Sequence, residues 1–377
     1  MPHTRREFLR SAVGWGGLLL AGSWKPAASR DSAPWRAALR FLAARQSADG
    51  AWRSERYAAF RDGDALTPVL LWALPAGRGD ETLARGQRWL ETLTDAHARR
   101  DEPWSRLHYP LFTASYAAQV FAKSGDPRRA GVWAEVIERL RTGTALGWPA
   151  NDPMCGAWGD ASAPPRYDAS VPDMLAPNIS ATARAVEALA ATGRSAAAKT
   201  ALPFIERCQN FCPLNTRREF DDGGFFFALN DPIRNKAGVA GQDAVGNMRF
   251  HSYGSATCDG ILALRACGLT GDHPRLRAAA AWLRDHGTGF APGGSWSPGR
   301  ATARESLVFY HAQAHAAALA SLRISARWVN RHSDELQADL LQRQCEDGSW
   351  EGAAPDSGED EPLLATAFAL RAVALLD

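Results

Sequence analysis

Apolar residues recur along this chain in two alternating registers. Segments near residues 33–45, 80–94, 128–141, 195–210, 272–286 and 331–344 set Leu, Ala and Trp at helical spacing against faces of Arg and Glu. Between them, segments near 64–74, 108–123, 177–192, 252–267, 305–322 and 361–376 are rich in Ala, Leu and small polar residues nearly all round. A helix with one charged stripe sits at a surface, whereas a helix apolar on every side is buried. Six of each kind in strict alternation predict an all-α fold in which six inner helices, ringed by six outer ones, close into a barrel.

The connections have a direction. Inner-to-outer links are short, as at Ala76-Gly77-Arg78-Gly79, Ser124-Gly125-Asp126-Pro127 and Thr270-Gly271. Outer-to-inner links run to roughly 13–40 residues, beyond the usual 2–8 of helical connections. The long loops therefore gather at one rim, where the inner helices begin, and loops of that length carry function. Inner-helix N-termini at this mouth present positive dipole ends suited to a carboxylate or phosphate.

Two segments repeat almost residue for residue. Gln46-Ser-Ala-Asp49-Gly50-Ala-Trp52 and Gln344-Cys-Glu-Asp347-Gly348-Ser-Trp350 both read Q-x-x-D-G-x-W after a helix rich in Leu, Ala and Arg. Asp-Gly supplies a turn and a helix stop. The Trp is then free to fold back over the helix just ended, and the Gln amide to reach freed backbone groups. Shorter versions occur at Cys155-Gly156-Ala-Trp158-Gly159, Asp222-Gly223-Gly224-Phe225 and Gly293-Gly294-Ser-Trp296.

These turns resemble the QW repeats of squalene and hopene cyclases. The stretch His251-Ser252-Tyr253-Gly254-Ser255-Ala256-Thr257 resembles bacterial prenyltransferase/squalene-oxidase-repeat proteins. Pro177-Asn178-Ile-Ser180-Ala-Thr182, Arg207-Cys208-Gln209-Asn210 and Phe309-Tyr310-His311 add to that likeness, which covers nearly all of residues 33–377. It implies an α6/α6 toroid, with which the count of twelve helices agrees, and a hydrophobic, isoprenoid-type small-molecule ligand bound or cyclised in a central cavity. Catalysis itself stays open; an enzyme of this resemblance would be a terpenoid cyclase- or mutase-like isomerase or lyase. Toroids also host non-catalytic protein binding at the cell envelope and periplasmic glycan-active enzymes, and both readings stand as alternatives.

The N-terminus changes the picture of where this occurs. Thr4-Arg5-Arg6-Glu7-Phe8-Leu9-Arg10, a modest apolar stretch from Ala12 to Ala21 and Lys25-Pro26-Ala27-Ala28-Ser29 resemble a twin-arginine export signal. The expectation is a signal peptide over residues 1–29 and one toroid domain over 30–377. The twin-arginine translocase would be a partner during export to the periplasm or envelope of a bacterium. The whole chain has 43 basic and 41 acidic residues; without the first 29, 39 basic face 40 acidic residues. That balance excludes nucleic-acid binding driven by bulk charge. No apolar run approaches the 18 or more residues of a spanning helix. Cys155, Cys208, Cys212, Cys258, Cys267 and Cys345 are scattered. Cys208 and Cys212 lie four apart and hint at a disulfide or metal, against the plainer reading of small buried side chains.

The chemistry implied by the resemblance needs an acid at an inner-helix start, held in a D-x-D-D motif in the cyclases. That motif is missing; the nearest clusters are Glu359-Asp360-Glu361, ahead of Pro362, and Asp62-Gly63-Asp64. Acidic residues just before a helix also serve as caps. Protein prenyltransferases hold zinc through Asp, Cys and His on successive inner helices. Here Cys258-Asp259 and His311…His315 supply those residue types in a different order, so no metal and no cofactor are expected. The candidate catalytic residues are Asp360, Asp259 and His311. Candidate ligand-binding residues are His108, Tyr109, Asp173, Asn178, His251, Tyr253 and Tyr310 at the long-loop rim, and His315 on the fifth inner helix. Fourteen Trp residues serve mostly as staples of the turns, with one or two free to stabilise a cation through a π-face.

Overall fold

The computed structural model of the chain describes residues 32–74, 80–99, 106–161, 163, 166–167, 176–212, 219–244, 246–322 and 326–377. The export-signal segment and Asp173 lie outside the described residues. Helix α1 (Ala33–Arg45) starts on Ser32, whose hydroxyl accepts the Trp35 N–H at 3.3 Å, with Pro34 in the first turn. Then come α2 (Leu66–Ala73), α3 (Glu81–Ala98), α4 (Pro110–Ser124), α5 (Pro127–Arg139) and α6 (Ile179–Ala191). After these are α7 (Ser195–Lys199), α8 (Leu202–Arg207), α9 (Gly254–Ala266) and α10 (Pro274–His286). The single-turn α11 (Ala301–Glu305) precedes α12 (Val308–Leu322), α13 (Arg327–Gln342) and α14 (Pro362–Leu376).

The two hydrophobic registers become two layers. Helix α9 is buried at every position from Gly254 to Leu264, whereas α13 buries only Val329, His332, Leu336 and Leu340, three or four residues apart. The inner helices α2, α4, α6, α9, α12 and α14 pack in that order, and α14 packs back on α2. Outer helix α1 lies against α14, so the first and last hairpins touch and the ring is closed. This is an α/α toroid. Among the described residues, no helix is long and apolar enough to cross a membrane.

Short links follow from local chemistry. Gly125 ends α4 at φ 79°, and Asp126 then caps α5 by accepting the Arg129 N–H at 3.0 Å, with Pro127 first in the helix. The expected outer helix over 195–210 is two pieces, α7 and α8, because Pro203 has no N–H to continue the hydrogen-bond ladder. The long loop before α9 also holds what a purely helical reading omits, an antiparallel hairpin of β1 (Val239–Gln242) and β2 (Met248–Phe250). Its turn is fastened where the Asp243 carboxylate accepts the Asn247 N–H at 2.9 Å.

The repeated turns act as staples. The Trp52 indole N–H donates to Leu42 O at 2.8 Å, and the Trp350 indole to Leu340 O at 2.7 Å, each reaching back over the helix just ended. The Gln46 amide donates to Gly50 O and to Thr82 O in the next outer helix, both at 2.8 Å. Gln344 does the same for Gly348 O and Pro34 O, both at 2.9 Å, and so ties the end of the chain to its beginning. Gly348 sits at φ 92° with a Cβ position only 2.5 Å from the Ala37 carbonyl, so the close approach of α1 requires glycine. A further device is not announced by the repeated motif. A threonine near the start of an inner helix accepts the backbone N–H of the turn aromatic: Thr67 from Trp52, Thr257 from Phe225 and Thr366 from Trp350, each at 3.0 Å.

Candidate functional site

The long loops leave a cavity of about 240 Å³ at the mouth of the ring. Its walls are mostly rings and branched aliphatics: Phe60 and Val69 from the first repeat, Tyr109, Phe112 and Tyr116 from the second, Phe227 from a long loop, and Leu364 and Phe368 from α14. Inner-helix starts supply the small and polar lining, Asn178 and Ser180 on α6 and Tyr310 on α12. Asp160, Lys236 and Glu359 come from the loops.

Glu359 is the acid most intimately built into the wall. Its carboxylate accepts the backbone N–H groups of Phe309 at 2.8 Å and Tyr310 at 2.7 Å, in the first turn of α12. Burial nevertheless pushes it from the ordinary 4.5 up to about 8, against those two N–H groups and the charge of Lys236. The carboxyl is therefore neutral near pH 7, yet two donors are already aimed at its ionised form. Lys236 is pulled the other way; burial lowers it from its usual range. Asp160 is compensated, accepting from Asn178 Nδ2 at 2.9 Å and from Arg234 at 3.2 Å. Asn178 also caps α6, its Oδ1 accepting the Ala181 N–H at 2.8 Å.

A second acid lies beneath the cavity. Asp259 is fully buried on α9 and accepts from Ser180 Oγ at 2.6 Å and from the Tyr310 hydroxyl at 3.0 Å to each oxygen. Arg184 on α6, 1% exposed, lies 3.3 Å from Asp259 and 3.0 Å from Glu187. Burial raises Asp259 to about 6, opposed by Arg184, Ser180 and Tyr310. The Tyr310 hydroxyl thus joins the cavity wall to this buried charge network.

The sequence-predicted residues fall into separate places. Tyr109, Asn178 and Tyr310 line the cavity, and Asp259 lies one hydrogen bond below it. Asp360 does not line it: the carboxylate turns outward to the Tyr57 hydroxyl at 2.5 Å and to Arg56 at 3.3 Å. Of the same acidic cluster, Glu361 caps α14 through the Leu363 N–H at 3.3 Å and accepts from the Ser54 hydroxyl. His108 is exposed, 3.7 Å from Asp62. Tyr253 is buried beside Trp296, ring centres 5.3 Å apart, and His251 is half-buried near it, its N–H bonded to Gly238 O at 3.1 Å.

His311 and His315 share one face of α12, as their spacing predicts, but that face is not the cavity. Their rings stack at 5.3 Å, and His315 meets His332 of the outer helix α13 at 5.6 Å. Burial pushes His311 down to about 3, which keeps it neutral. Asp259 engages Tyr310, Ser180 and Arg184 instead of these imidazoles. Among the described residues no group of three His, Cys, Asp or Glu is placed to hold a metal ion. Cys208 and Cys258 are buried thiols, and no disulfide involves them.

Lys236 and Asp160 lie outside the set of residues that the sequence motifs mark. A signal for Lys236 existed: the chain has only four lysines among its 43 basic residues, and this one sits in a long mouth loop.

No family model matches the chain, and no curated protein matches its sequence. Solved structures do. The type II terpene cyclase MstE from Scytonema aligns over 92% of this chain and 98% of its own, at 14% identity and a TM-score of 0.56. A variant of that cyclase in complex with its substrate geranylgeranyl dihydroxybenzoate aligns over 91% and 96%, at 14% identity and a TM-score of 0.55. The unsaturated glucuronyl hydrolase from Bacillus sp. GL1 aligns over 91% and 96%, at 17% identity and a TM-score of 0.55. At these identities the likeness is one of fold.

Proposed function

We propose that the chain binds a hydrophobic, isoprenoid-type ligand in the mouth cavity and isomerises it by proton-initiated cyclisation. The observation that carries this reading is the place of Glu359: a buried carboxyl, pushed up to about 8 by burial, in a wall that is otherwise mostly apolar and aromatic. Its O–H would add a proton to a ligand double bond, leaving a carbocation that an adjacent double bond attacks to close a ring. The departing proton leaves a carboxylate, which the Phe309 and Tyr310 N–H groups stabilise. The faces of Phe112, Phe227 and Phe368 favour a passing cation. Loss of a proton from the ring product to Glu359 restores the acid, so atoms and charge balance over the cycle. A terpene cyclase with the same toroid binds a prenylated substrate, which agrees with this assignment.

The test is turnover of linear C10–C20 isoprenoids and their epoxides, followed by mass spectrometry of the products. Cyclic products from wild type, lost in Glu359→Gln and retained in Asp360→Asn, are expected. Equal turnover by wild type and Glu359→Gln would remove the assignment. A second reading rests on two observations, that Asp160 and Glu359 line the same cavity and that a glucuronyl hydrolase shares the fold. It requires release of sugar from an unsaturated uronide, measurable by loss of its ultraviolet absorbance. We further propose, from the paired arginines alone, export by the twin-arginine route. An Arg5→Lys/Arg6→Lys variant that still reached the periplasm would oppose this.

A further inference from the structure

The loop carrying Lys236 is built with unusual care for a segment outside any helix. Asn235 accepts the N–H groups of Phe227 at 2.8 Å and Ala228 at 3.2 Å, and donates to Ala228 O and Asp231 O, both at 2.7 Å. Asp231 accepts from the N–H groups of Ile233 at 3.0 Å and Arg234 at 2.8 Å. Ala237 O then accepts the Ser297 N–H at 2.9 Å, pinning the far side. Lys236 is thus held at the cavity wall, its ammonium 5.9 Å from the Phe227 ring centre.

The two cations of this loop are treated differently. Arg234 is spent on Asp160, 3.2 Å away, and on Ala176 O at 2.9 Å. Lys236 forms no hydrogen bond or ion pair among the described residues; Asp160, itself engaged by Arg234, and Asp356 act on it only through space, and the nearby Glu359 is held neutral. The two inner-helix ends beside the cavity already have their acceptors, Asn178 on α6 and Glu359 on α12. One desolvated positive charge is therefore left facing an apolar, aromatic space. Such an arrangement is costly in an empty site and favourable once an anion arrives.

We infer that Lys236 anchors the anionic head of an amphipathic ligand, a carboxylate, whose apolar tail lies against Phe112, Phe227 and Phe368. A single ammonium balances a monoanion; a diphosphate would need further cations, and among the described residues this wall offers none. A ligand carboxylate at Lys236 also keeps a negative charge near Glu359, which holds that acid protonated. The inference rests on the apolar-ligand reading of the cavity and narrows it to prenylated or isoprenoid acids.

The test is calorimetric binding of farnesoic acid and of farnesol, which share a tail, to wild type, Lys236→Met and Lys236→Arg at neutral pH. Wild type should prefer the acid by tenfold or more. Lys236→Met should bind both within about twofold, with its farnesol affinity unchanged, and Lys236→Arg should recover part of the preference. Unchanged melting curves would show that each variant is folded, and unchanged farnesol binding would show that the cavity is intact. A preference that survives in Lys236→Met, or wild type binding both probes equally, would overturn the anchor while leaving the apolar cavity standing. Wild type binding neither would overturn the cavity reading itself.

Discussion

Replacing Glu359 with Gln tests the electrostatics of the cavity wall without reference to any ligand. In the unfolded chain this carboxyl titrates near 4.5, and in the folded protein at about 8. The neutral form is the one the fold favours, so its contribution is complete below pH 4.5 and is lost as pH climbs to about 8. At about 1.36 kcal/mol per pH unit, that interval amounts to roughly 4–5 kcal/mol. Gln does not titrate and lacks this slope. It also turns an amide NH₂ toward one of the two backbone N–H groups that the carboxyl satisfies, a loss of about 1–3 kcal/mol at every pH. Glu359→Gln should therefore be the less stable protein at pH 5 and the more stable one by pH 8. Urea unfolding at pH 5, 6, 7 and 8, followed by tryptophan fluorescence and circular dichroism, measures both lines. Parallel lines, with the same difference at every pH, would refute the burial argument for Glu359.

Other consequences follow from named contacts. Asp259→Asn leaves the buried Arg184 with Glu187 as the remaining one of its two carboxylate partners, and urea unfolding should show a loss of about 1–3 kcal/mol. Gly125 and Gly348 both have positive φ, but a Cβ at Gly125 meets nothing within 4 Å whereas one at Gly348 lies 2.5 Å from Ala37. Thermal denaturation should therefore show about 1 kcal/mol lost in Gly125→Ala and at least twice that in Gly348→Ala. Trp350→Phe removes the 2.7 Å bond to Leu340 O, and Thr366→Val removes the acceptor of the Trp350 N–H. Each should lower stability by about 1–3 kcal/mol in chemical denaturation.

The ring was legible because burial leaves a periodic trace. Segments such as Gly254–Leu264 have no solvent face and so no charged stripe, and the alternation of such segments with striped ones specifies the two layers. The repeated Gln, Gly and Trp were equally visible, since each makes a fixed contact with a helix end. Side-chain direction within the loops was not legible. Glu359 and Asp360 are neighbours, yet Gly358 at φ 71° and the Gly352 N–H to Glu359 O bond at 2.7 Å send one inward and the other out to Tyr57. No hydrophobic period governs such a turn. The spacing of His311 and His315 correctly puts them on one face of α12, but packing against α13 decides that this face looks away from the cavity. Lys236 depends on an Asn235 and Asp231 framework of side-chain to backbone bonds, which no hydrophobic period announces.

The most direct measurement is a crystal structure of the protein grown with geranylgeraniol. The hydrocarbon should occupy the mouth cavity with its chain between Phe112, Phe227 and Phe368, within reach of the Glu359 carboxyl. An unoccupied mouth, with the lipid held only elsewhere on the surface, would contradict the account.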